Sequence, residues 1–357
     1  MASLGDLGLA LRLPIIQAPM AGVQDHALAI AVSEAGGLGS LPAAMLAPDA
    51  LRRELAALGE RPGLPFNVNF FCHRPPAPDP AREAEWLRLL SGYYEHFKLD
   101  PAAIPAGAAR RPFDDAAAAL LEEQATPPAV VSFHFGLPEP VLLERVKRLG
   151  ARVFASATTI DEGLWLQDHG ADAVIAQGWE AGGHRGIFLG DDLAGQRPML
   201  DLVESLAGRL RVPLIAAGGM ASAARVRAAL ERGAVAAQVG TAFLLCPEAR
   251  TSALHRAALA GWVAARQAGA TEDRTAVTNL FTGRPARSIV NRLIRDLGPI
   301  NPQAPAFPLA ANAIGPLRAR AESEGSSEFS PLWSGTDPSG CRAVPAGDLA
   351  RSLAEQA

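Results

Sequence analysis

Along this chain, short and nearly continuous apolar runs alternate with longer stretches in which apolar residues return every three or four positions. "PIIQAPMAG" (residues 14–22) predicts a buried strand running into a loop, and "HALAIAVSEAGG" a helix stopped by paired glycines. "LGSLPA" from Leu38 is a second strand, "DALRRELAAL" a helix capped by Asp49, and "PFNVNFF" (65–71) a third strand. The rhythm breaks from His73 to Thr126. There "HRPPAPDP", a helix bearing Trp86, Tyr93 and Tyr94, and "DPAAIPAGAARRP" predict an insertion of helices and proline-rich connections. Regularity returns with the strands "AVVSFHFG", "RVFASAT", "ADAVIAQG", "VPLIAAGGM" and "VAAQVGTAFL", separated by helices such as "PVLLERVKRLG", "TIDEGLWLQDHG" (begun by a threonine cap) and "SAARVRAALERG". After Pro247 the pattern is helical to about Asn279, then rich in proline and glycine, with more helix before the tail.

Eight apolar strands separated by helices imply a parallel sheet covered on both faces, and eight such units suit a (β/α)8 TIM barrel. The expected division is a barrel of residues 1–72 and 127–250, a helical insertion at 73–126, and a helical and irregular segment at 251–357 packing over the active site. The insertion and the last segment together form an added helical substrate domain.

Composition narrows the function. The 357 residues are 49% hydrophobic and 20% charged with a net charge of −4, which argues against a nucleic-acid or polybasic membrane surface. The only lysines are Lys98 and Lys147, so a Schiff-base or P-loop lysine has almost nowhere to sit. Cys72, Cys246 and Cys341 lie far apart without CxxC spacing, which fits a reducing compartment. No signal peptide or spanning run is visible, and a cytoplasmic location is expected.

In a parallel barrel, ligands bind where the strands end. Those ends carry Pro19-Met20-Ala21-Gly22, Asn67 and Asn69, His134, Gln177 through His184, Gly218-Gly219, and Gln238-Val239-Gly240-Thr241. This rim of amides, glycines and two histidines holds no carboxylate cluster, so a metal site or a glycosidase pair is not expected. It suits a flat heteroaromatic cofactor whose phosphate lies at the loops after strands seven and eight.

These motifs, in this order from about Pro14 to Glu248, resemble the nitronate monooxygenase family, class I, formerly the 2-nitropropane dioxygenases. "EAGGHRG" combined with "QVGTAF" is the most specific part of the match. The resemblance implies an FMN enzyme that oxidises alkyl nitronates, such as propionate 3-nitronate, with O2 to a carbonyl compound and nitrite. It places FMN contacts on Pro19, Met20, Ala21, Asn69, Gln177, Gly182, Gly219, Gln238, Val239, Gly240 and Thr241, and the active-site histidine on His184. Chemically, His184 is either a base for the carbon beside a nitro group or, protonated, a partner for the nitro oxygens.

His134 and Trp179 are candidates for substrate contact, His73 for the pocket rim. Glu180 is expected to orient the glycine loop by pairing with Arg185. His26, His96, His169 and His255 fall in helical stretches and read as structural or solvated. The chain departs from the family in the bulk of Trp179 and in "PAFPLAANAIGPL", which lacks the tyrosine and lysine often found near the flavin. The alternatives are an FMN-dependent NAD(P)H:quinone or enoyl-thioester reductase, and a barrel that binds a phosphorylated metabolite without redox chemistry. The expected ligands are a small nitronate or nitroalkane and O2, with no nucleic acid and no membrane.

Overall fold

The computed structural model describes residues 3–104 and 110–355. Eight strands make the barrel: β1 (Ile15–Gln17), β2 (Gly39–Pro42), β3 (Phe66–Phe71), β4 (Val130–His134), β5 (Arg152–Ala157), β6 (Ala173–Gln177), β8 (Leu214–Ala217) and β9 (Ala236–Val239). All pair in parallel, in the order β1-β9-β8-β6-β5-β4-β3-β2. Leu38 closes the ring, donating its N–H to Ile15 and accepting from Gln17, each at 2.9 Å.

Side-chain alternation sorts each strand into two faces. Ile16, Val130, Phe154, Ala173, Ile175, Ile215 and Ala236 fill the barrel interior, and Leu4 and Leu9 pack against that layer. Their neighbours Ile15, Val131, Val153, Val174, Ala216 and Ala237 point outward into the larger core beneath the helices. The covering helices include α1 (His26–Ala35), α2 (Pro48–Gly59), α4 (Asp115–Glu122), α5 (Pro140–Arg148), α6 (Ile160–Asp168), α7 (Met199–Ala207) and α8 (Ala223–Glu231). The threonine cap of α6 is Thr159, which accepts from the Glu162 N–H. Asp49 is not the cap of α2: Ala47 holds that position, Pro48 starts the helix, and Asp49 sits in its first turn.

The added helical unit is built from α3 (Pro80–Phe97), α10 (Arg292–Leu297) and α11 (Ala310–Ser323). Trp86, Leu90 and Tyr94 of α3 share one apolar cluster with Leu293, Ile294, Ala310, Ile314 and Leu317. Trp86 Nε1 donates to the Ala310 carbonyl at 3.3 Å and Tyr94 Oη to that of Ala313 at 2.6 Å.

Packing redraws the expected segments in two places. α4 lies within the stretch read as insertion, yet its Leu120 and Leu121 belong to the barrel core. α12 (Ala346–Ala354) returns from the far C-terminus, and its Leu349 and Leu353 pack in the same core, beside α1 and α8. The helix after Pro247 also stops early. α9 covers Ala253–Gln267, and β10 (Thr275–Thr278) and β11 (Ala286–Ile289) follow it. Together with β7 (Gly183–His184) they form an antiparallel sheet of order β10-β11-β7. Strands of four residues or fewer, one of them paired across about a hundred positions, leave no local period to read.

Among the described residues no helix is long and apolar enough to cross a membrane, and no group of three or more His, Cys, Asp or Glu is placed to hold a metal ion.

Candidate active site

The C-terminal ends of the barrel strands open into a cavity of about 450 Å³, roofed by residues of α9, α11 and the segment 331–337. Its floor carries Pro19, Met20, Ala21, Asn69, Gln177, Gly182, Gly219, Gln238, Gly240 and Thr241, together with His134 and His184. Val239 is the exception among the expected contacts. Gln238 faces inward, so strand alternation turns Val239 outward into the core beneath the helices.

The loop leaving β6 is held from three sides. Gln177 spends both ends of its amide on it: Nε2 donates to the His184 carbonyl at 2.9 Å, and Oε1 accepts from the Gly186 N–H at 2.8 Å. His134 Nε2 donates to the same His184 carbonyl at 3.1 Å. His134 therefore positions the loop as well as lining the cavity. Burial and nearby guanidinium groups lower its pKa to about 3, so the ring is neutral. β7 pairs with β11, setting His184 opposite Ala286 and Gly183 opposite Arg287.

Glycines permit the close packing. A Cβ on Gly182 would stand 2.5 Å from Ser334 and Gly335 backbone atoms, and one on Gly186 would stand 2.9 Å from the His134 ring. Beneath the loop, the fully buried Arg185 donates to the carbonyls of Gly178 (2.7 Å) and Gln177 (2.9 Å) and to Gln196 Oε1 (2.7 Å). Desolvation pulls its pKa down to about 9, leaving it cationic at neutral pH.

Glu180 does not pair with Arg185. Its carboxylate meets Arg225 at 3.2 Å and accepts from the Met199 N–H at 2.8 Å. It orients the loop by anchoring it to α7 and α8 instead. Trp179 is not a cavity-lining residue: its ring lies between the guanidinium groups of Arg185 (5.7 Å) and Arg287 (5.1 Å). Arg287 also donates to the Trp179 carbonyl at 2.8 Å. The side chain that looked large enough to shape the pocket is a packing element behind it.

His184 faces the cavity with its ring among Phe71 (6.2 Å), Phe135 (6.0 Å), Phe307 (5.4 Å) and Trp333 (5.4 Å). Nε2 lies 2.9 Å from Thr282 Oγ1. The Thr282 hydroxyl donates in turn to the Arg284 carbonyl at 3.4 Å, so it accepts from Nε2–H and leaves the Nδ1 lone pair for other work. Burial, then Arg110, His134, Arg284 and His73, hold the imidazole pKa well below 6.5. His184 is a neutral imidazole in a mostly aromatic enclosure.

A family model described as nitronate monooxygenase matches residues 7–356. The chain is 43% identical to a nitronate monooxygenase of Pseudomonas aeruginosa, covering 98% of this chain and 97% of that one. It is 41% identical to one of Paraburkholderia phytofirmans, covering 97% and 92%. The chain belongs to the nitronate monooxygenase family.

This family member is accordingly an oxidoreductase, and its fold agrees with solved structures. A nitroalkane oxidase from Streptomyces ansochromogenes superposes with a TM-score of 0.84 at 38% identity, over 97% of this chain and 96% of that one. FabK from Thermotoga maritima superposes with a TM-score of 0.70 at 25% identity, over 99% and 94%.

Nitronate monooxygenases are flavoproteins, and the cavity fits a flavin. Gln238 Oε1 is buried without any partner, an acceptor waiting for a donor such as a ring N–H. Gly240 lines the cavity, and a Cβ there would meet Ala18 and Met20 at ordinary contact distances of 3.4 and 3.5 Å. Gly218 and Gly219 both take positive φ (113° and 67°), and the turn they make lines the cavity. Thr241 Oγ1 accepts from the Gly335 N–H at 2.9 Å, which leaves its proton free to donate.

Several cavity residues carried no signal in the sequence. Thr282, Trp333, Gly335 and Arg318 arrive from the C-terminal segment, and Arg110 from the insertion. His255, read as structural or solvated, lines the cavity from α9, with Nε2 buried and unpartnered. His73 is buried behind the wall, its Nε2 bonded to the Arg110 carbonyl at 2.9 Å and its ring 4.8 Å from Phe307. Only the fold gathers these residues in or behind the wall of one cavity.

Proposed function

We propose that this enzyme binds FMN in the barrel cavity and oxidises alkyl nitronates, such as propionate 3-nitronate, with O2 to a carbonyl compound and nitrite. The observation that carries this reading is His184, an uncharged imidazole with a free Nδ1 facing a cavity that also holds the unpartnered Gln238 acceptor. Asn69, Gln238, Gly219, Gly240 and Thr241 would hold the flavin, with Pro19, Met20 and Ala21 along one side. Bound FMN supplies the electron acceptor for the nitronate and the route by which electrons reach O2.

The protein's own part is to hold and move a proton. With a neutral nitroalkane, Nδ1 of His184 takes the proton from the carbon beside the nitro group, and Thr282 fixes the tautomer that makes this possible. The imidazolium so formed stands beside a nitronate anion, and the opposite charge offsets the desolvation that otherwise disfavours it. A substrate arriving as the nitronate needs no base, and the same ring becomes a hydrogen-bond donor to its oxygens only when Nδ1 carries a proton. The aromatic enclosure excludes water from the reacting carbon.

Replacing His184 with Asn separates these roles. Activity with the neutral nitroalkane is expected to fall by roughly 10²-fold to 10⁴-fold, the usual contribution of a general base, and activity with preformed nitronate by much less. Equal rates with both substrates in the variant and the parent would remove His184 from the chemistry.

A further inference from the structure

A carboxylate that the chemistry at His184 does not use lies behind the active-site loop. Glu162, in the first turn of α6, is fully buried, and the four donors that reach it are neutral. Oε1 accepts from the Phe188 and Leu189 N–H groups at 2.6 and 3.3 Å, and Oε2 from the Thr158 N–H and hydroxyl, each at 2.7 Å. The Thr158 hydroxyl in turn accepts from Gln196 Nε2 at 3.1 Å, and Gln196 Oε1 accepts from Arg185 Nε at 2.7 Å. Arg185 is as deeply buried as Glu162, while Gln196 between them is half-buried.

A guanidinium and a carboxylate both taken out of water need compensation. Here it passes through an amide and a hydroxyl. Every link donates in the same sense, from Arg185 through Gln196 and Thr158 to Glu162, so each polarises the next. Desolvation and Arg287 lower the Arg185 pKa to about 9, and the Glu180 and Glu162 carboxylates oppose them. Both ends of the chain grip the segment that carries His184. At one end the Arg185 side chain holds the Gln177 and Gly178 carbonyls, and its own N–H donates to the Pro285 carbonyl at 2.8 Å. That bond keeps His184 opposite Ala286 and within reach of Thr282. At the other end Glu162 fixes the peptides at Phe188 and Leu189.

We propose that the chain Arg185–Gln196–Thr158–Glu162 is a brace that positions His184, with Thr158 and Gln196 as positioning residues that stand outside the cavity lining. This inference rests on the nitronate reading above for the step that His184 performs, and adds the residues that keep its ring in register.

The test compares the FMN-loaded parent with Thr158→Val, which removes the hydroxyl at nearly constant volume, and with Thr158→Ser, which keeps it. Gln196→Met cuts the same chain at its half-buried member and carries the test should Thr158→Val not fold. With isotope-labelled histidine, nitrogen NMR reads the His184 tautomer, and His184→Asn identifies its signal. The parent is expected to show Nε2–H alone, Thr158→Val a mixture of Nε2–H and Nδ1–H, and Thr158→Ser the pattern of the parent. Oxygen uptake gives kcat/KM for nitroethane and for ethylnitronate. Thr158→Val is expected to lower the ratio of the first to the second on the order of tenfold, since a base displaced by ~1 Å loses about 10²-fold and this shift is a fraction of that. Thr158→Ser is expected to restore the ratio. A single unchanged tautomer in both Thr158→Val and Gln196→Met would overturn the proposal. An equal fall with both substrates would overturn it too, leaving the chain a support for the fold alone. So would loss of FMN from either variant, which assigns the chain to the cofactor. If the parent oxidises neither substrate yet its His184 tautomer responds to Thr158 as expected, the brace stands and the nitronate reading falls.

Discussion

Gln177→Leu removes the clamp on the active-site loop while nearly preserving side-chain volume. Two hydrogen bonds are lost, at 2.9 Å to the His184 carbonyl and at 2.8 Å from the Gly186 N–H. Their consequences differ. The His184 carbonyl keeps His134 Nε2 at 3.1 Å, so its loss is that of an ordinary hydrogen bond, about 1 kcal/mol. The Gly186 N–H is left buried without its acceptor, which costs about 1–3 kcal/mol. The expected destabilisation is therefore about 2–4 kcal/mol, read as a lowered urea midpoint of the flavin-free protein with unchanged slope. kcat/KM falls as well, because His184 is no longer fixed relative to the cavity. Gln177→Glu retains an acceptor for Gly186 but sets a carboxylate against the His184 carbonyl. It should lose activity as fully as leucine does. A leucine variant within about 0.5 kcal/mol of the parent, the range of an inconsequential surface change, would refute the clamp.

Two further outcomes follow from groups in or beside the cavity. Gln238→Leu removes a buried acceptor that has no partner without cofactor, so the flavin-free protein should be no less stable. FMN affinity should weaken by about five- to tenfold, one neutral hydrogen bond, as measured by fluorescence titration; unchanged affinity would detach Gln238 from the flavin. The second outcome concerns pH. Folding holds His73 and His255 near pKa 4 and His134 near 3, with His184 also depressed, all chiefly by burial. Below about pH 6.5 the unfolded chain binds these protons and the folded one does not, so stability falls as pH falls toward 4 and is flat above 7. Each histidine contributes about 1.4 kcal/mol per pH unit within that window. A melting temperature unchanged between pH 7 and pH 5 would contradict the neutral, buried assignment.

The parts of this protein that the sequence made legible are those governed by local period. The eight barrel strands are apolar runs with turn signals at their ends, and Gln177, Gly182, His184 and the Gln238–Thr241 run lie on the rim because strand ends do. Parity on a strand was equally available: Gln238 facing in turns Val239 out, although the motif alone assigned both to the cofactor. What was not legible depends on contacts distant in sequence. β7, β10 and β11 are too short to show a period and exist through one another. Trp179 looked like a pocket wall until Arg287, from β11, was seen to share it with Arg185. Glu180 had a tempting neighbour in Arg185, but the barrel's return brought Arg225 to it instead. His255 sits in a helical pattern that gives no hint that its Nε2 reaches the cavity.

The central claim, an FMN cavity that takes electrons from nitronates, is tested most directly without oxygen. The purified yellow protein is mixed anaerobically in a stopped-flow spectrophotometer with propionate 3-nitronate, and separately with NADH and NADPH. Rapid bleaching of the flavin band by the nitronate, with slow or no bleaching by either nicotinamide, is the expected result. Rapid bleaching by NADH or NADPH together with inertness toward the nitronate would contradict it and assign the cavity to a reductase.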